Sequence, residues 1–196
     1  MQKFEIFRVG LTNFLEAGYL YIGMDHFAKP GDELAIAQQN RTLHRNFQGY
    51  TTKAGADLYG MGVTAISGIQ NAYAQNHRDL ASWQTAVTSR GIATMRGYRL
   101  SEDDRLRRAV ISRLLCHTIV LKDEISREFG IDFNDYFAAE LQKLAAARED
   151  GLLIETSGEL RATWLGRIFI RNLAMAFDPY LEKQQLDSKP LFSKTL

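Results

Sequence analysis

The chain has 196 residues, 45% of them hydrophobic and 24% charged, with a formal net charge of +1. A chain of this size buries one good core or two small ones, and its charge gives no electrostatic drive toward nucleic acid or an anionic membrane. No apolar run reaches the ~20 residues that span a bilayer, Met1-Gln2-Lys3-Phe4-Glu5 lacks the pattern of a signal peptide, and a single cysteine excludes an internal disulfide, so the expected location is cytoplasmic.

In chain order, Phe4, Phe7, Leu11 and Phe14 recur at helical spacing and predict a helix over 2–16, with Gly18 as its C-terminal stop. Tyr19-Leu20-Tyr21-Ile22-Gly23-Met24 reads as a short strand buried on both faces. Helix, glycine turn and buried strand form the repeat of an α/β barrel or open sheet, so residues 1–100 are expected to be the end of a larger α/β domain. Asp25 and His26 follow that strand, where ligands collect in parallel α/β folds. The pair fits equally a turn whose carboxylate caps Lys29-Pro30 or the next helix, and spacing favours the turn. Asp32 is the expected N-cap of a helix over 33–39.

The stretch His44-Arg45-Asn46-Phe47-Gln48-Gly49-Tyr50-Thr51-Thr52 fits neither a 3.6 nor a 2.0 period. Gly55, Gly60, Gly62 and Gly68 follow closely. Glycine permits close approach of backbone to a ligand at an entropic cost, so this span is either a pocket-shaping loop or a surface turn cluster. Residues 63–67 read as a buried β segment, 71–83 as a helical connector broken at Ser89-Arg90-Gly91, and 96–100 as a β-like segment.

A second domain is expected over 101–183. Ser101 and Asp104 have capping-box spacing, and Leu106, Val110, Leu114 and Leu115 make one apolar helix face. Cys116 lies on that helix as a small buried hydrophobe. A short helix ends at Gly130, and Asp132 caps a helix over 133–147 carrying Phe133, Tyr136, Phe137, Leu141 and Leu144. A hairpin around Ser157-Gly158 joins 152–155 to 160–163. A last helix carries Phe169, Leu173, Phe177, Tyr180 and Leu181, and a loose tail over 184–196 follows. This order is that of a mostly helical, winged-helix-like α+β domain.

Asp25-His26-Phe27-Ala28, residues 44–52 and 57–67, Arg96-Gly97-Tyr98, residues 104–108, Glu149-Asp150-Gly151-Leu152, Gly166-Arg167 and residues 170–181 together resemble the C-terminal part of the oxygen-independent coproporphyrinogen III oxidases. These are radical S-adenosyl-L-methionine enzymes of haem synthesis, also called coproporphyrinogen dehydrogenases. The resemblance implies a fragment of a radical barrel followed by the helical C-terminal domain. It implies the substrate coproporphyrinogen III, decarboxylated oxidatively to protoporphyrinogen IX, and the cofactors S-adenosyl-L-methionine and a [4Fe-4S] cluster. It carries Phe47, Gln48 and Ile66 over as contacts to S-adenosyl-L-methionine, and assigns no catalytic residue. A cluster of this type needs three closely spaced cysteines; with Cys116 alone, its ligands are expected on a missing N-terminal barrel portion, and the chain by itself is expected to be inactive.

Two other functions fit parts of the pattern. A winged-helix order suits nucleic-acid binding, but residues 133–147 oppose Asp135 and Glu140 to Lys143 alone, against the basic surface that phosphate contacts require. Arg105, Arg107 and Arg108 are denser, yet follow Glu102, Asp103 and Asp104; they read as a solvated helix face or as a patch for carboxylates. A haem-chaperone-like relative, or a non-catalytic porphyrin- or cofactor-binding remnant, would share the fold. The Phe47-Gln48-Gly49-Tyr50 run favours the oxidase over the chaperone.

Overall fold

The computed structural model describes residues 2–181; the expected tail, 184–196, lies outside the described residues. The elements run α1 (Gln2–Glu16), β1 (Leu20–Gly23), β2 (His26–Ala28), α2 (Glu33–Gln39), β3 (His44–Asn46), β4 (Gly49–Thr51), β5 (Ile66–Ile69), β6 (Ala72–Asn76), α3 (Leu80–Arg90), β7 (Thr94–Arg99) and α4 (Glu102–His117). Then follow β8 (Ile119–Leu121), α5 (Lys122–Phe129), α6 (Phe133–Tyr136), α7 (Ala138–Lys143), α8 (Ala145–Glu149), β9 (Leu153–Glu155), β10 (Glu159–Ala162), α9 (Trp164–Ile168) and α10 (Ile170–Met175). The fold class is mixed helix and strand. Among the described residues, contacts group those up to 43 with those from 106 on, and 44–105 by themselves.

In the first unit the core is built by Val110, Leu114, Val120, Ile125, Phe133, Phe137, Leu160, Ile170 and Phe177, all nearly inaccessible. Truncating a buried Phe in such a core costs about 3–5 kcal/mol. Phe137 meets Phe133 at 4.9 Å and Phe177 at 5.3 Å, the latter edge-to-face. Expected as one helix, 133–147 is three short pieces, with Phe137 and Leu144 at the breaks in non-helical backbone. Both are buried, so core packing overrides local propensity there. β8 was not expected as a strand; it pairs with β10, giving the antiparallel order β8-β10-β9. Lys122 enters this region satisfied, with Nζ donating to Asn134 at 2.8 Å and Glu155 at 2.9 Å.

The N-terminal segment is tied to this core. Met24 packs against it, Phe4 stacks on Phe169 at 6.5 Å, and Tyr21 meets Trp164 at 6.0 Å. Arg167 lies over the rings of both Tyr21 and Trp164 and donates to the Tyr21 carbonyl. Residues 19–24, expected as a strand buried on both faces, hold the largely buried β1; Met24, at φ 55, and Asp25 then reverse the chain, so β1 pairs antiparallel with its own continuation β2. Local closure of this kind needs no crossover, whereas a parallel pair does.

The second unit carries two antiparallel sheets, β3-β4 and β5-β6-β7. Residues 72–76, expected within a helical connector, form the central strand β6. Gln70 takes φ 51 and turns β5 directly into β6, a turn chemistry outside the usual Asn-Gly signature. Ser101 and Asp104 form the expected capping box, Asp104 N–H donating to Ser101 Oγ at 3.1 Å and Ser101 N–H to Asp104 Oδ2 at 2.8 Å.

Two stability measurements follow. A Cβ at Gly166 would lie 1.8 Å from the Leu152 carbonyl oxygen, whereas one at Gly158 meets nothing within 4 Å. Gly166→Ala is expected to lower unfolding stability by roughly 3 kcal/mol or more through overpacking and Gly158→Ala to leave it nearly unchanged, read from urea midpoints; equal midpoints would refute the close approach. Burial of Tyr21 pushes its hydroxyl up from 10.0 to about 12, against the lowering effect of Arg167. The folded state therefore holds this proton more tightly, so the contribution is complete below pH 10 and is lost as pH rises toward 12. Tyr21→Phe is expected to flatten that part of the stability profile, measured by urea unfolding between pH 8 and 12.

Candidate functional site

The pairing register of β6 decides which side chains converge. Gln75 faces Ile66 on β5 and Arg96 on β7, and Tyr73 faces Gly68 and Tyr98. Successive strand residues alternate faces, so Ile66, Gln75 and Arg96 form one row and Gly68, Tyr73 and Tyr98 a second row on the same face. Phe47 joins this face from the β3-β4 turn, its ring edge-on to Tyr73 at 5.1 Å. Phe47, Ile66, Tyr73, Gln75, Arg96 and Tyr98 line an open concavity of about 330 Å³, at the lower end of small-molecule sites.

A Cβ at Gly68 would make ordinary contact with the Tyr73 ring at 3.7 Å and with Phe47 at 3.9 Å. One at Gly60 would come within 2.7 Å of the Ile66 carbonyl oxygen, so only glycine lets the 57–62 loop lie against β5. That loop is fixed by the Leu58–Gly68 bridge, by Ser67 Oγ accepting from Gly60 N–H at 2.9 Å, and by Asn76 Nδ2 donating to the Gly62 carbonyl at 2.9 Å.

The stretch 44–52 is a hairpin rather than an irregular loop. Asn46 Oδ1 accepts from Gln48 N–H at 2.8 Å, an Asx turn, and Gly49 closes it at φ 133. Phe47 is 49% exposed. Of the three expected ligand contacts, the structure brings Phe47 and Ile66 to the concavity; Gln48 is exposed at the hairpin tip and is not among the residues lining it. Tyr73, Gln75, Arg96 and Tyr98 were not expected as site residues. Gln75 and Tyr73 were hidden by the helical reading of 71–76, because face-sharing at period two is invisible in a helix template.

Gln75 Oε1 accepts from Arg96 Nε at 2.9 Å and Nη2 at 2.6 Å. Tyr98 donates to the buried Asp104 carboxylate at 3.1 Å. The arrangement suits a ligand with a flat or alkyl body against Phe47, Ile66 and Tyr73 and a polar end toward β7.

The other singled-out residues lie outside this concavity. Asp25 and His26 sit at the β1–β2 turn, where the exposed Asp25 carboxylate bonds His26 Nδ1 at 2.7 Å and caps neither Lys29-Pro30 nor α2, whose N-cap is Asp32. The arginine patch is corrected: Arg105 pairs with Glu102 at 3.1 Å on the surface, whereas Arg107 is largely buried, 2.7 Å from Glu140 and over the Phe137 ring. Cys116 is 1% exposed. Among the described residues, no group of three or more His, Cys, Asp or Glu is placed to hold a metal ion, and no helix is long and apolar enough to cross a membrane.

Residues 100–169 match the HemN C-terminal domain. The oxygen-independent coproporphyrinogen III oxidase of Synechocystis sp. is 45% identical over 97% of this chain and 42% of its own length. That of Pseudomonas aeruginosa is 46% identical over 92% of this chain and 39% of its own. The solved structure of coproporphyrinogen III oxidase (HemN) from Escherichia coli, a radical SAM enzyme, superposes with a TM-score of 0.88 at 45% identity, covering 91% of this chain and 41% of that one. The chain thus spans about two-fifths of the length of these relatives, and their names do not favour the haem-chaperone or nucleic-acid alternatives. Over nearly its whole length, this chain is homologous to the C-terminal part of the oxygen-independent coproporphyrinogen III oxidases.

Proposed function

We propose that this chain supplies the C-terminal part of an oxygen-independent coproporphyrinogen III oxidase, which decarboxylates coproporphyrinogen III oxidatively to protoporphyrinogen IX in the cytoplasm. The observation that carries the reading is identity of 41–46% to oxidases across nearly the full chain. In this reading residues 1–100 belong to the end of the radical barrel, and α4 to α10 form a winged-helix-like domain, supported by the order helix, strand, four short helices, hairpin and two further helices.

S-adenosyl-L-methionine, when bound, supplies the radical chemistry; the protein supplies position and exclusion of water. Phe47 and Ile66 fit such a ligand, since both present apolar surface to a concavity that no protein side chain fills. Gln48 offers an amide donor and acceptor from the hairpin tip. The cluster does not fit these residues: Cys116 is the chain's one cysteine and is enclosed in α4, so it cannot join a three-thiolate set. The [4Fe-4S] ligands therefore belong to the N-terminal barrel portion, which in this reading is the chain's partner along with coproporphyrinogen III.

Two arms test this. The 196-residue chain, reconstituted anaerobically with iron, sulfide, reductant, S-adenosyl-L-methionine and coproporphyrinogen III, is expected to give no protoporphyrinogen above a no-protein control. Grafted in place of the homologous segment of the Escherichia coli enzyme, it is expected to restore turnover, with Phe47→Ala and Ile66→Ala each raising the KM for S-adenosyl-L-methionine about tenfold. A folded chimera without turnover would overturn the proposal.

A further inference from the structure

We propose that Arg96 is a carboxylate-binding residue, held by Gln75 so that it takes the acidic end of a ligand whose body packs on Phe47, Ile66 and Tyr73. The inference rests on the reading of this concavity as the oxidase's ligand site.

A guanidinium has two edges that can each grip a carboxylate with paired N–H groups. The structure occupies one of them: Nε and Nη2 both donate to the Gln75 amide oxygen, at 2.9 and 2.6 Å. That acceptor is neutral, so the positive charge is oriented without being compensated. Among the described residues Arg96 has no ion pair, and no Asp or Glu lines the concavity. Asp104, the acid bonded to the lining residue Tyr98, is committed to that hydroxyl and to both the N–H and the hydroxyl of Ser101. The remaining edge of the guanidinium, with Nη1, is left for a partner.

The surroundings suit that use. Arg96 is itself exposed, so its guanidinium is open to a ligand seated against Phe47, Ile66 and Tyr73, which line the same concavity. Gln75 is the positioning residue: its register opposite Arg96 and Ile66 fixes the direction of the guanidinium.

Within the proposed reaction two ligands bring a carboxylate: a propionate of the tetrapyrrole, and the methionyl end of S-adenosyl-L-methionine. The full chain is titrated with coproporphyrin III and its uncharged tetraamide, and separately with S-adenosyl-L-methionine and its decarboxylated form. Arg96→Met and Arg96→Lys are run beside the wild type. Arg96→Met is expected to weaken one carboxylated probe about tenfold, which is about 1.4 kcal/mol, leaving its carboxylate-free counterpart unchanged, with Arg96→Lys in between. Loss confined to coproporphyrin III assigns the propionate; loss confined to S-adenosyl-L-methionine assigns the methionyl carboxylate. A variant that binds every probe as the wild type does overturns the role of Arg96 and leaves the ligand site standing. A wild-type chain that binds neither carboxylated probe overturns the site and the role of Arg96 together.

Discussion

The central position of β6 is the constraint on which the candidate site depends. A strand paired on both sides has its side chains fixed in alternation by two ladders at once. Ile66, Tyr73, Gln75, Arg96 and Tyr98 come from three strands and share a face because β6 is in register with both β5 and β7. A slip of one residue in β6 would send Tyr73 and Gln75 to the opposite face and leave Arg96 without its amide. The single irregularity, between Gln75 and Asn76, falls at the end of the ladder. There Asn76 turns its amide to the Gly60 and Gly62 carbonyls and anchors the covering loop.

Charge is distributed differently in the two units. Around the first core, buried ions are matched: Arg107 with Glu140, and Lys122 and Arg148 with Glu155. Pairs of this kind offset their own desolvation only when hydrogen bonding is complete, and here Asn134 and the Phe177 carbonyl add partners. In the second unit the concavity holds an oriented cation whose protein partner is a neutral amide. That cation, Arg96, is exposed, so it carries none of the desolvation that the matched ions of the first core must offset.

Residues 1–43 depend on the C-terminal region for their burial. α1 exposes Phe4, Ile6, Val9 and Phe14 in part, and the segment is held instead through Tyr21, Trp164 and Arg167 and by polar links. His117 Nε2 meets the Leu43 carbonyl at 3.0 Å, and Gln38 Nε2 donates to the Cys116 carbonyl at 3.5 Å. These contacts join residues far apart in sequence, so the unit is assembled by long-range packing rather than by chain order.

What was legible in the sequence was what local physics dictates. Helical spacing of Phe4, Phe7 and Leu11, the Asp32 cap, the Ser101–Asp104 box and the Ser157-Gly158 hairpin are decided within a few residues, and the structure has each of them. The family resemblance was legible too, because the motif at 44–52 is a property of residue order. The tertiary structure alone decided that 72–76 is a strand, since Ala72-Tyr73-Ala74-Gln75-Asn76 carries little apolar signal and gains its conformation from ladders on both sides. It alone broke 133–147 at Phe137 and Leu144, whose burial outweighed helical continuity. And it alone placed Arg96 against Gln75, since a pair 21 residues apart is set by sheet register, which no single segment encodes.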